Sequence, residues 1–246
     1  SEGRPLHVVL VAPGGSLAPD DVLDEADPRT GRVRGSEIRS THLEVPPLPF
    51  RAASAHLPGR RPYDKLRAYG VFGGLPRVLN ELDTSVTLGT NVRRLLLDPD
   101  APLADAGARW LELDLQSPAR YYAIMRTLAR GEADWATVHA GVPDLTRSGQ
   151  VAPYLKRLEE LGLMESRRSL DASPRGRSRR YGLTDPFLSF SFRFILPHRW
   201  EDPGLAGTGA SGEADPWSSW IGPALDDHVA GVFPLVCRQH MEHDAI

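Results

Sequence analysis

Lysine is almost missing from this sequence. Of its 29 cationic residues only Lys65 and Lys156 are lysines, which leaves 27 arginines. A Walker A loop needs G-x-x-x-x-G-K-[ST], with the lysine on the nucleotide phosphates. Neither lysine follows such a loop, so these 246 residues hold no P-loop. The arginine bias itself reads as the coding habit of a GC-rich genome. Cysteine is reduced to Cys237, which excludes a disulfide framework within the chain and a multi-cysteine zinc site. No apolar run approaches the roughly 18 residues of a membrane span, and the opening SEGRPLHVVLVAP lacks the apolar core of a signal peptide. A soluble, cytoplasmic protein without a membrane partner is expected. H-E-x-x-H and G-x-S-x-G are both absent, and no pair of carboxylates stands out as general acid and base. No enzyme activity, metal or cofactor is expected.

What the sequence does have is punctuation. With 23 glycines and 22 prolines, well above the roughly 12% of average usage, short elements and many loops follow. Leu6–Val11 is a continuous apolar run between Pro5 and Pro13-Gly14-Gly15 and reads as a buried strand. His42 to Val45 reads as a second strand. Pro62 and Pro76 each open a helix, since the first helical turn tolerates a missing N–H. The first runs to about Val71, and Val92 to Leu97 supply a third helix.

The clearest pattern spans 117–184. Ser117 and Pro118 read as an N-cap and first-turn proline ahead of Tyr121, Ile124, Met125 and Leu128 at helical spacing. A second helix runs from about Asp134 to Ala140. A third runs from about Ser148 to Leu161, with Val151, Leu155, Leu158 and Leu161 on one side and Gly162 at its end. Strands are expected at 163–167 and 179–183, joined by the polar loop Asp171-Ala172-Ser173-Pro174-Arg175-Gly176-Arg177-Ser178. Three helices followed by a hairpin with a basic tip is the order of a winged helix-turn-helix. Asp185-Pro186 opens a Phe-rich helix, 201–219 reads as linker, and a last helix covers about Leu225 to His240. The expected class is α+β and mainly helical: an N-terminal strand and loop remnant (1–61), a small helical lid-like unit (62–100), the winged helix (117–184), an aromatic helix (185–200), a linker (201–219) and a C-terminal helix (220–246).

Charge is unevenly spread. Arg147 to Tyr181 holds nine basic and four acidic residues, a net +5 within a chain of net −3. Such a concentration is the electrostatic footprint of a phosphate-binding surface. With the apolar side of the third helix turned inward, Ser148, Gly149, Ala152 and Lys156 face outward, flanked by Gln150, Pro153 and Arg157. Gln150 could address adenine and Arg147 guanine, while the wing arginines Arg175, Arg177, Arg179 and Arg180 are placed for the minor groove or adjacent phosphates. Duplex DNA is therefore the expected partner, with modest sequence specificity; a homodimer on paired half-sites would multiply affinity. The alternative is an interaction or regulatory subunit whose winged helix packs on protein.

The order of four segments resembles the prokaryotic family of archaeal-type ATPases, relatives of the AAA+ and STAND groups. They are Tyr69-Gly70-Val71-Phe72-Gly73-Gly74-Leu75-Pro76-Arg77-Val78-Leu79, Ser117-Pro118-Ala119-Arg120-Tyr121-Tyr122, Pro153 to Leu163, and Asp185-Pro186-Phe187-Leu188-Ser189-Phe190. The resemblance implies a nucleotide-binding core followed by a helical lid and a winged helix. It places both Walker strands upstream of residue 1 and the sensor 1 position on the first strand, after which Ala12-Pro13 replaces the family's Gly-Ser. It thus implies a non-hydrolysing member, or one whose P-loop a partner supplies. Gly73, Gly74 and Pro76 are expected as a helix end and a first-turn proline. Two weaker signals point elsewhere: Gly207-x-Gly-x-x-Gly212 lacks the flanking strand and helix of a dinucleotide fingerprint, and Cys237, His240 and His243 drift around a helix rather than converge on a metal.

Overall fold

The computed structural model describes residues 45–98, 100–111, 117–168, 179–200 and 215–244. The expected strand Leu6–Val11, most of His42–Val45, the hairpin tip with Arg175 and Arg177, and Gly207–Gly212 lie outside the described residues. Two helical groups share one central helix, and a small antiparallel sheet completes the second group, giving an α+β, mainly helical protein.

The first group contains α1 (Phe50–Ala53), α2 (Pro62–Phe72), α3 (Pro76–Leu79) and α4 (Leu88–Val92), the last continuing as a π-helical turn over Arg93–Leu97. Prolines occupy the first turns of α2 and α3, as their locked φ favours. Val71, Phe72, Leu95 and Leu96 are its fully buried centre. α4 starts earlier than the apolar run Val92–Leu97 suggested, because Thr87 caps it by accepting from the Thr90 N–H at 3.1 Å.

The second group begins with α5 (Pro118–Leu128), β1 (Ala133–Asp134) and α6 (Trp135–Ala140). A 3-10 turn (Ser148–Val151) leads into α7 (Ala152–Glu160), and β2 (Met164–Arg168) and β3 (Arg179–Leu183) follow. The strands order as β1-β3-β2, antiparallel throughout, with Ala133 opposite Tyr181 and Met164 opposite Leu183. Tyr121, Ile124, Met125 and Leu128 of α5 meet Val151, Leu155 and Leu158 in the core, so the apolar spacing read from the sequence is the packing face. One expected cap is absent: Ser117 stands at the N-cap position of α5 in a left-handed conformation (φ 70°), and its side chain makes no capping bond.

Between the groups runs α8 (Pro186–Phe190), a π-helical turn (Ser191–Ile195) and α9 (Leu196–Trp200). Leu188, Phe192 and Leu196 enter the core of the second group, while Phe187, Phe190, Phe194 and Ile195 enter that of the first. A helix with apolar residues on two sides must be covered on both, and here one core lies on each.

The expected linker ends early. Asp215 accepts from the backbone N–H of Ser218 at 3.0 Å and ion-pairs with Arg93, which starts a π-helical turn at Trp217. From there α10 (Gly222–Asp244) runs longer than the sequence suggested. Its buried His228 lies 2.9 Å (Nε2) from the Gly70 carbonyl, Gln239 donates to the Tyr69 hydroxyl at 3.0 Å, and Arg238 reaches Glu132 and Glu165 at the sheet. No helix among the described residues is long and apolar enough to cross a membrane.

Candidate nucleic-acid interface

The inner side of α7 is consumed by the core, which leaves Ala152, Pro153, Lys156, Glu159 and Glu160 exposed, with Arg147 to Gln150 exposed in the turn before it. α7 is held at its back by Tyr154, whose hydroxyl accepts from Arg120 of α5 at 2.7 Å and whose ring meets Tyr121 edge-on at 5.1 Å. The outward face read from the sequence is the outward face of the molecule.

Its electrostatics differ from the expectation. Glu160 sits between two of the cations assigned to DNA, 3.7 Å from Lys156 and 3.5 Å from Arg157. Glu159 accepts from the Ser166 hydroxyl at 2.7 Å, and Ser166 in turn accepts from Arg179 at 3.3 Å. The Gln150 side-chain oxygen accepts from the Arg147 backbone N–H at 3.0 Å. That bond closes the turn ahead of α7 and occupies the atom a bidentate adenine contact would need.

The strand pattern divides the wing arginines. Side chains alternate across a strand, so Arg179 shares the inner side with buried Tyr181, and Arg180 shares the opposite side with Gly182. Register places Arg168 opposite Arg179 and Arg167 opposite Arg180. On the Arg180 side Glu165 pairs with Arg167 and, together with Glu132, with Arg238 of α10. The expected single patch is thus split: Arg147, Lys156, Arg157 and Arg179 attend α7, whereas Arg180 leaves the sheet on the side that α10 approaches. Arg168, exposed beside Arg179, adds a cation to this side that the sequence pattern does not mark as a contact. Its position three residues before the hairpin loop is the only signal the sequence offers.

No group of three or more potential metal ligands occurs among the described residues, and Cys237 and His240 lie along α10 with no cluster around them. A cleft of about 640 Å³ lies between α2, the loop before α4 and the start of α10. Several of its charges are engaged within the fold: Arg67 pairs with Asp226 at 3.1 Å, Arg60 donates to the Thr84 and Val86 carbonyls, and Asp83 accepts from Ser85.

The buried ionisable groups are structural. Asp185 accepts from the Phe187 N–H at 2.9 Å and caps α8; burial pushes its carboxyl up to about 6. Burial drives the His228 imidazole down to about 4, so it sits neutral against Gly70 and the rings of Phe190 and Phe194. The two glycines of the lid-like motif are each explained by close packing, Gly73 on Asp185 and Gly74 on Leu48. Gly73 ends α2 at φ 62°, ψ −153°, and a Cβ there would lie 2.2 Å from the Asp185 carboxylate. At Gly74 a Cβ would lie 1.9 Å from the Leu48 carbonyl oxygen.

No family model matches the chain, and no solved structure does. Among curated proteins the chain is similar to an uncharacterized protein of Methanocaldococcus jannaschii, with 22% identity over 198 residues. That match takes in 78% of this chain and 41% of the relative, so the chain spans less than half the length of the protein it matches.

Proposed function

We propose that the protein binds duplex DNA through a winged helix-turn-helix formed by α5, β1, α6, α7, β2 and β3, and acts without catalysis, as a transcriptional regulator or a comparable DNA-bound component. The observation that carries the reading is the combination of strand order and exposure. Among the described residues, three helices with a β1-β3-β2 sheet leave the outer side of the third helix exposed, next to Arg147, Arg168 and Arg179. A helix so placed fits the major groove, with its N-terminal residues against base edges. Ala152 and Pro153 offer apolar contact there, and the arginines offer phosphate contacts. On the resemblance noted above, the first helical group is a lid-like remnant and any P-loop belongs to a partner.

The test is fluorescence anisotropy with a mixed-sequence duplex of about 20 base pairs, between about 50 and 200 mM salt. Binding that weakens steeply with salt, and is lost when Arg147, Arg168 and Arg179 are replaced together by alanine, is the expected result. A second reading, a subunit that packs its α7 face on protein, draws on the mixed charge of that face, where Glu159 and Glu160 stand among the cations. Failure to bind DNA even at low salt would select it.

A further inference from the structure

We infer that Glu159 and Glu160 act as built-in competitors of the DNA backbone, holding the cations of α7 and so lowering affinity for non-cognate duplex. The inference rests on the DNA-binding reading and names the residues that set its discrimination.

The two carboxylates are placed against the interests of the helix itself. They are the last two residues of α7, where the helix macrodipole is negative and acidic side chains are disfavoured. Their exposed ion pairs add little to folding. Yet their positions take up the local cations one by one. Glu160 stands within 4 Å of both Lys156 and Arg157, and Glu159 reaches Arg179 through Ser166. Of the three cations nearest the exposed C-terminal half of α7, the two carboxylates leave a net charge of +1. Any duplex that approaches must displace the carboxylates or accept their repulsion at short range. Arg147 and Arg168, at the start of the helix and the edge of the hairpin, have no ion-pair partner among the described residues. They supply the attraction that remains for a phosphate backbone.

Non-specific binding is almost wholly electrostatic and scales with the number of phosphates neutralised. A specific complex adds base contacts that do not depend on these cations. Carboxylates beside the reading surface therefore weaken the first kind of binding more than the second. Without them the segment would carry +7 instead of +5 and would hold arbitrary sequence more tightly.

The experiment compares the full chain with Glu159→Gln, Glu160→Gln and the double variant on a mixed-sequence duplex, by anisotropy across the same salt series. Freeing about one phosphate contact per carboxylate steepens the dependence of log K on log salt by roughly one for each. The double variant is expected to bind about tenfold more tightly at the low-salt end. Glu81→Gln, an exposed carboxylate of the other helical group, is expected to change neither quantity. In a chain already carrying Lys156→Ala and Arg157→Ala, Glu160→Gln is expected to lose most of its effect. Wild-type binding with an unchanged affinity and slope in the double variant would overturn the inference and leave the DNA-binding reading standing. Absence of binding by wild type and variant alike would overturn both.

Discussion

Asp185→Asn should stabilise the protein near neutral pH and change the shape of its pH–stability curve. The Asp185 carboxyl is buried and caps α8 through the Phe187 N–H, and burial pushes it up to about 6 in the folded state from an ordinary value of 3.8. Between those values the native state holds more protons than the unfolded state, so stability falls as pH rises, by about 3 kcal/mol at 1.36 kcal/mol per pKa unit. His228 acts in the opposite sense. Burial drives its folded value down to about 4 from an ordinary value of 6.5, so the unfolded state holds more protons in that window. Stability then rises with pH by a similar amount, about 3 kcal/mol. The two slopes oppose each other from about pH 4 to 6, and the wild-type curve should be nearly flat there. Asparagine keeps the capping oxygen and never ionises, so Asp185→Asn removes one slope and exposes the other. Its stability should climb from about pH 4 to 6.5 and exceed that of wild type at pH 7 by about 2–3 kcal/mol. Urea unfolding followed by tryptophan fluorescence at a series of pH values measures both. A variant whose curve runs parallel to wild type, or lies below it at neutral pH, would refute the assignment of Asp185 as a buried carboxyl that loses stability on ionising.

Gly74→Ala should lower stability by about 3 kcal/mol or more, since backbone must move to admit the new methyl group; thermal melting would show a fall of roughly 5–10 °C. Gly231→Ala, in an exposed part of α10 where a Cβ meets nothing within 4 Å, should instead stabilise by about 0.5–1 kcal/mol in the same assay. Arg238→Ala removes a guanidinium shared by Glu132 and Glu165 and should cost about 1–2 kcal/mol, a loss that shrinks in high salt. Gln150→Ala should cost about 1 kcal/mol by opening the turn before α7. Its effect on affinity for mixed-sequence duplex should stay within about twofold, because the side-chain oxygen is engaged in the turn and carries no phosphate contact.

Much of the fold could be read from the sequence wherever local rules decide it. The helix carrying Tyr121, Ile124, Met125 and Leu128, the turn at Gly162 and the hairpin strands fall within a residue or two of their expected limits, because periodicity and caps act over single turns. The misses come from contacts made at long range. The helix expected from Val92 starts at Leu88 instead, where Thr87 caps it and Gly89 lets the distant Trp217 indole approach so closely that a Cβ would fall 2.3 Å from its Nε1. Asp215-Pro216 repeats the acid–proline start of Asp185-Pro186, yet it was hidden in a Gly- and Ser-rich stretch. At the candidate interface the outward face of α7 was legible, but the pairing of its charges was not. That Arg179 and Arg180 must diverge follows from strand alternation alone, once both are assigned to one strand.

The meeting of Gly73 with Asp185 bears on what the motif resemblance can mean. Two of the four segments that carry it, Tyr69–Leu79 and Asp185–Phe190, touch at one buried junction. A carboxylate with no room for a Cβ opposite it stands against a helix end that requires positive φ. Tyr69 adds to the same junction through Gln239 of α10. Packing is therefore a sufficient reason for the glycines, the tyrosine and the Asp-Pro pair to occur together, with no nucleotide needed to account for them. Substitutions there should register first as lost stability. A role in binding, if these residues have one, has to be read from variants that keep the junction closed, such as Asp185→Asn, rather than from those that force it open, such as Gly73→Ala.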